Sequence, residues 1–185
     1  VSIVISNTSY KSVVDVFDKT GNEVFKTNLV TSRVADVSIS QDSKYLAIAE
    51  IDLSGILIKS SIQIVSIELA KTNPSQAIIN KYEAPTDKMI LNVEYQEQNK
   101  LICMYSDGIE SYEEKTSAEL IKFDDKKESF MTIELSNRVA LVDEISTGEY
   151  TANTNIRIID PNTKKEREYV TGSIAKSIKT SDNKM

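Results

Sequence analysis

A strand-forming unit recurs along this chain of 185 residues, and no other feature constrains the fold as strongly. Its clearest copy spans residues 34–50 and resumes at 61–67, with apolar residues alternating around a polar turn at 41–44. Alternation at period two is typical of half-buried strands, and polar turn residues between such runs indicate hairpins. Convincing helical periodicity is almost absent. The pattern predicts an all-β chain.

With the strands of each unit labelled A to D, the order along the chain is regular. The predicted strands are B 1–6, C 12–17 and D 23–28 in unit one; A 34–40, B 44–51, C 61–67 and D 76–82 in unit two; A 89–95, B 100–105, C 108–112 and D 118–123 in unit three; A 129–135, B 138–145, C 154–160 and D 166–170 in unit four; and a last A strand at 174–179. Units start at intervals of roughly 40 to 55 residues, the period of propeller blades. We therefore predict one all-β domain over residues 1–185. It would be a β-propeller-like array of about four four-stranded antiparallel blades, alone or within a larger propeller.

The first and last predicted strands are complementary. Residues 174–179 can pair with residues 1–6 to complete the first blade, and such a closure removes free sheet edges. Three arrangements stay open: a closed four-blade ring, a half-ring that pairs in a dimer, and a fragment of a longer propeller. Because four blades is the low end of what closes, we favour the fragment or the half-ring.

Charge and residue usage exclude several classes of function. The formal net charge is −6, and the 22 Lys and Arg residues are scattered, so we expect neither a nucleic-acid partner nor membrane contact by this segment. The chain has one Cys and no His, which argues against zinc sites, Cys–His nucleophiles and internal disulfides. Cys103 lies in an apolar run and is predicted to be a small buried hydrophobe. We predict no cofactor.

Carboxylates are the remaining candidates for catalysis or cation binding. The candidates for a cation site are Asp124, Asp125 and the loop with Asp52, and those for glycoside hydrolysis are Asp36, Asp143 and Glu144. None has the spacing of a known motif, so exposed turns and chance explain them as well. Asp42 is predicted to be structural, because Asp and Ser side chains in such turns bond nearby backbone amides.

The loop of residues 52–60 is the candidate site for binding a partner. Residues 52–60 lengthen the connection between strands B and C of unit two, and Ile56, Leu57 and Ile58 follow one another within it. Such a loop either packs on a neighbouring blade or presents an apolar surface to a partner. An additional strand pairing is a further alternative, because this segment has strong β propensity.

Two stretches carry a resemblance to known families. Residues 40–47 (SQDSKYLA) resemble a turn of WD-repeat-like and TolB-like bacterial propellers. Residues 17–25 (FDKTGNEVF) and 44–55 (KYLAIAEIDLSG) resemble an uncharacterised propeller family of low-GC Gram-positive bacteria, typically held behind an N-terminal membrane anchor. The resemblance implies an extracytoplasmic location. It transfers no catalytic residue, and the absence of Trp and His excludes the usual WD dipeptides.

The sequence thus favours a non-enzymatic interaction scaffold with a protein partner. A homodimer joined through open blade edges is an additional expectation. The alternatives are a carboxylate-based propeller hydrolase or lyase, and a sensor module that binds a small ligand or a glycan.

Overall fold

The computed structural model describes residues 2–5, 9–86, 88–96, 99–113, 116–123, 129–135, 138–146, 152–160 and 163–172. The strands within them are β1 Ser2–Ile5, β2 Ser12–Phe17, β3 Glu23–Leu29, β4 Ser32–Ile39, β5 Tyr45–Asp52, β6 Lys59–Ser66, β7 Ile78–Glu83, β8 Ile90–Tyr95, β9 Leu101–Tyr105, β10 Gly108–Glu113, β11 Thr116–Lys122, β12 Ser129–Leu135, β13 Arg138–Ser146, β14 Ala152–Ile159 and β15 Glu166–Thr171. The predicted all-β class is confirmed.

The strands form four antiparallel sheets in chain order. Sheet 1 contains β1 to β3, sheet 2 β4 to β7, sheet 3 β8 to β11 and sheet 4 β12 to β15, and each strand pairs with its neighbours in sequence. The predicted units therefore match the sheets, with boundaries shifted by a few residues, as in β6, which spans Lys59–Ser66 where 61–67 was predicted. The predicted strand 174–179 and its pairing with 1–6 lie outside the described residues.

A short helix between β6 and β7 was not predicted. Helix α1 spans Ile67–Thr72, begins where the Ser66 hydroxyl accepts a hydrogen bond from the Leu69 amide at 3.3 Å, and buries Ala70. A single 3₁₀ turn at Pro74–Gln76 follows it. A six-residue helix is too short to show an apolar stripe, so the sequence pattern could not reveal it.

The core lies between successive sheets. Leu46 and Ile48 of β5 pack with sheet 1, whereas Ala47 and Ala49 of the same strand pack with sheet 3. Successive side chains of a strand point to opposite faces, so a strand between two packed neighbours is apolar throughout. A third cluster joins sheets 3 and 4 through Ile102, Met104, Ile109, Val139, Leu141 and Ile159. Cys103 is fully buried, as predicted.

The turn at Asp42 has the predicted structural role. The Ser40 hydroxyl donates to Asp42 Oδ1 at 2.7 Å and accepts from the Tyr45 amide at 2.9 Å, and the Lys44 amide donates to Asp42 Oδ1 at 3.1 Å. The hydrogen bond from Ser40 is the main reason that the Asp42 pKa is lowered to about 2. Asn99 of the next sheet also donates to Asp42 Oδ2 at 3.3 Å, so the turn also links sheets 2 and 3.

The first strands of sheets 2, 3 and 4 share an irregularity that the sequence pattern did not reveal. Each has a β-bulge near its start, between Val34 and Asp36 in β4, Ile90 and Asn92 in β8, and Ser129 and Met131 in β12. A bulge bends its strand and redirects the residues that follow it. Its recurrence indicates that the three sheets are copies of one unit.

Candidate functional site

An exposed apolar surface lies at the end of sheet 2 where β5 turns into β6. Its members are Val30, Leu53, Ile56 and Leu57, and we call this set the rim patch. These residues are 62%, 56%, 102% and 48% exposed, respectively. Ser32 pairs with Asp52 in the β4–β5 register, which brings the connection before β4 beside the loop after β5. Large apolar side chains gathered in this way are a common mark of an interaction surface.

The base of this loop is braced by Asp52. Its Oδ1 accepts hydrogen bonds from the Ser54 amide at 2.8 Å and the Ser54 hydroxyl at 2.6 Å, and its Oδ2 accepts one from the Thr31 hydroxyl at 3.2 Å. The Ser54 bonds are the main reason that the pKa of Asp52 is lowered. Asp52 therefore holds the two segments of the rim patch together.

The structure places the three predicted loop residues differently. Ile56 and Leu57 are exposed, and Ile58 is half-buried. β5 ends at Asp52 and β6 begins at Lys59, so residues 53–58 form no additional strand. Val30 and Leu53 were missed. The register of β4 against β5 would have identified them, but a single sequence fixes that register only to within a few residues.

A polar network between sheets 2 and 3 was also missed. The Tyr105 and Tyr112 hydroxyls lie 2.6 Å apart, and the Tyr112 hydroxyl donates to Glu110 Oε2 at 2.8 Å. Lys88 donates to Glu110 Oε1, lies 3.2 Å from Asp107 Oδ1, and places its ammonium 4.7 Å from the centre of the Tyr105 ring. Burial opposes the charge on Lys88, but the bonds to Glu110 and Asp107 raise its pKa. No sequence signal marks this network, because both tyrosines occupy apolar strand positions.

The profile of a family of unknown function, DUF5711, matches residues 1–185. The chain belongs to DUF5711. No curated protein matches its sequence. Because DUF5711 is a family of unknown function, the match assigns no catalytic or binding residue to this chain.

Three carboxylates of the DUF5711 chain were predicted as candidates for glycoside hydrolysis, and the structure describes the side chain of one of them, Asp36. Asp36 Oδ2 accepts from Asn92 Nδ2 at 2.6 Å and from the Val93 amide at 3.1 Å, and burial raises its pKa. Asp143 and Glu144 pair with Asn155 and Thr154 in the β13–β14 register, and their side chains lie outside the described set.

Neither a metal centre nor a membrane span is evident in the described part of the DUF5711 chain. Asp124 and Asp125 lie outside the described residues. Among the residues that are described, no group of three or more Cys, Asp or Glu side chains is arranged to hold a metal ion. Within the same residues, no helix has the length and apolar character to cross a bilayer.

Proposed function

We propose that this DUF5711 chain is a non-enzymatic β-propeller scaffold that binds a protein partner through its rim patch. The main support is the full exposure of Ile56, a large apolar residue, on a loop that is held by hydrogen bonds to Asp52. The proposed location is the extracytoplasmic side of a bacterial membrane. That location rests on the resemblance of residues 17–25 and 44–55 to anchored propellers.

The rim patch suits an apolar segment of a protein partner. Its four side chains carry no charge, and full burial of each one stabilises a complex by about 1.5–3 kcal/mol before the costs of association. The bonds from Ser54 and Thr31 to Asp52 fix the loop in advance, which reduces the entropy lost on binding. Lys59, which is exposed at the start of β6, places a polar edge beside the patch.

Burial at the two ends of the array supports a propeller that closes within one chain. In β2, Val13 and Asp15 alternate with Val14 and Val16, which pack on sheet 2, so they point to the opposite face of sheet 1. Yet Val13 and Asp15 are only 3% and 8% exposed. An open array would leave this face in solvent.

The face of sheet 4 that points away from sheet 3 also carries buried residues. Ala140 and Ile158 alternate with Leu141 and Ile159, which pack on sheet 3. Ala140 and Ile158 are 1% and 6% exposed. Residues on both end faces are thus buried, and packing of the two end faces on each other would account for this burial within one chain. This favours the closed four-blade ring over the fragment and the half-ring.

Closure predicts the mass of the chain in solution. Light scattering after gel filtration is expected to give a monomer near 20.7 kDa at all concentrations tested. A stable dimer would contradict closure within one chain and would support the half-ring, in which blade edges join two copies.

Binding through the rim patch predicts position-specific crosslinking in the cells that make the protein. A photo-crosslinking amino acid at Ile56 is expected to capture one discrete protein. The same group at Val170, a 66% exposed apolar residue on β15, is expected not to capture it. Leu57→Asp should abolish capture at position 56 without changing the urea midpoint of the domain, because Leu57 is 48% exposed.

Three outcomes would overturn this proposal. Equal capture at Ile56 and Val170 would indicate nonspecific contact. Unfolding by Leu57→Asp would assign the loop to the core. Flotation of the wild-type chain, but not of Leu57→Asp, with phosphatidylcholine vesicles would replace the protein partner by a lipid surface.

A further inference from the structure

Glu50 is a buried acid at the interface of sheets 1 and 2. It is 4% exposed, and its Oε1 atom is buried without a hydrogen-bond partner. It shares a face of β5 with Leu46 and Ile48, which pack on Val14 and Val16 of sheet 1. An ionised carboxylate in this position would leave a desolvated, unpaired oxygen, which is costly.

A second oxygen without a partner lies on the neighbouring strand. Gln63 of β6 pairs with Ile48 and therefore occupies the same face of sheet 2 as Glu50. Its side chain hydrogen-bonds the Glu50 carboxyl group, while its own Oε1 is buried and has no partner. The Ser32 side chain also hydrogen-bonds the Glu50 carboxyl group, yet Glu50 Oε1 and Gln63 Oε1 both remain without a partner.

A proton is the species that best completes this arrangement. A carboxylic acid and a primary amide can form two hydrogen bonds: the amide N–H donates to one acid oxygen, and the acid O–H donates to the amide oxygen. An ionised carboxylate can accept but cannot donate, so it leaves the amide oxygen without a partner. A divalent cation fits poorly, because Ca²⁺ takes about 6–8 oxygen ligands.

The charges around Glu50 are few. Lys81, which pairs with Gln63 across β6 and β7, attracts the carboxylate, and Asp52 on its own strand repels it. Lys59 pairs with Asp52, and Glu83 pairs with Ser61. The described residues that sheet 1 turns toward this face are uncharged: Ser12, Val14, Val16, Phe25, Thr27 and Leu29.

We propose that Glu50 is protonated in the folded chain and forms an acid–amide pair with Gln63, so that its ionisation weakens the packing of sheet 2 on sheet 1. The proton leaves to solvent when the pair breaks. Burial, which is the largest influence on this group, raises the Glu50 pKa in accord with the geometry. The device makes the stability of the interface depend on pH, independently of what the rim patch binds.

Carboxyl ¹³C NMR of the full chain labelled at glutamate tests the protonation directly. The Glu50 signal, assigned by its loss in Glu50→Gln, is expected to titrate with a midpoint above the ordinary glutamate range. The Glu83 signal serves as the exposed control, with a side chain 76% exposed. A Glu50 midpoint at or below that of Glu83 would overturn the proposal and would assign the two oxygens to a bridging water.

The effect on stability follows from the sign of the shift. Because the folded pKa is raised above the unfolded value, the stabilisation is complete below the unfolded pKa and is lost as pH rises through the folded pKa. The urea midpoint of the wild-type chain should therefore fall more steeply over this range than that of Glu50→Gln, in which Asp36 is the remaining described carboxylic acid with a raised pKa. Glu83→Gln removes the same charge and should follow the wild type. Parallel curves for wild type and Glu50→Gln would contradict the proposal even if the variant is destabilised.

Discussion

Gly108→Ala is expected to destabilise the protein by about 3 kcal/mol, the largest effect that we predict for a single methyl group. A Cβ atom at Gly108 would lie 2.3 Å from the Ile121 carbonyl oxygen and 3.2 Å from the Lys122 Cα. Both atoms belong to the backbone of β11, which pairs with β10 at this point. Neither atom can move away without disrupting the pairing of β10 with β11, so the clash can be relieved only at the cost of backbone hydrogen bonds.

The matched control is Gly172→Ala. Apart from Gly172 itself and its two chain neighbours, no atom lies within 4 Å of a Cβ built at Gly172, which follows the end of β15. An alanine there is expected to be neutral or to stabilise the fold by about 0.4–1 kcal/mol, because it restricts the unfolded chain. Urea unfolding of the two variants provides the measurement. Stabilities within about 1 kcal/mol of each other would show that β10 and β11 separate more easily than their register indicates.

Strand pairing within each sheet could be predicted because its determinants are local. The turn at 41–44 shows how: Ser40 and Asp42 bond the amides that follow them, so the hairpin is encoded in a few adjacent residues. Each sheet is also a run of consecutive strands, so chain order gives its topology directly. The predicted units follow from these two facts.

The contacts between sheets could not be predicted, because they join residues far apart in the chain. Asp36 bonds the Val93 amide, and Ser38 accepts a hydrogen bond from the Tyr95 amide at 2.9 Å. No local pattern marks such pairs. Glu50 and Gln63 illustrate the same limit: a strand pattern would place both on a solvated face, and only the packing of sheet 1 shows that Glu50 and the Oε1 atom of Gln63 are buried.

The candidate site was predicted in part for the same reason. Ile56 and Leu57 stood out as consecutive aliphatic residues in a long loop. Val30 precedes a different strand and joins them only through the pairing of Ser32 with Asp52. Exposure, too, is a property of the folded surface, which is why the same sequence also allowed packing or an additional strand.

Lys88→Met is expected to destabilise the protein by about 2 kcal/mol, the second large effect. Lys88 and Glu110 have side chains that are only 15% and 18% exposed, so removing the ammonium leaves a poorly solvated carboxylate. Tyr112 continues to donate to Glu110, which limits the loss below that of a fully buried ion pair. Loss of the ammonium over the Tyr105 ring adds a smaller cost.

A double-mutant cycle separates the pair from the packing of the lysine stem. Adding Glu110→Gln to Lys88→Met removes the unpaired charge, so the two changes together should cost less than their sum, by about 1–2 kcal/mol. The exposed pair Lys81 and Glu83, 3.7 Å apart with side chains 48% and 76% exposed, is the control, and its coupling should stay below about 0.5 kcal/mol. Equal couplings in the two cycles would mean that water reaches Glu110 as freely as Glu83. The network would then contribute packing of Lys88 against Tyr105 and little electrostatic stabilisation to the interface of sheets 2 and 3.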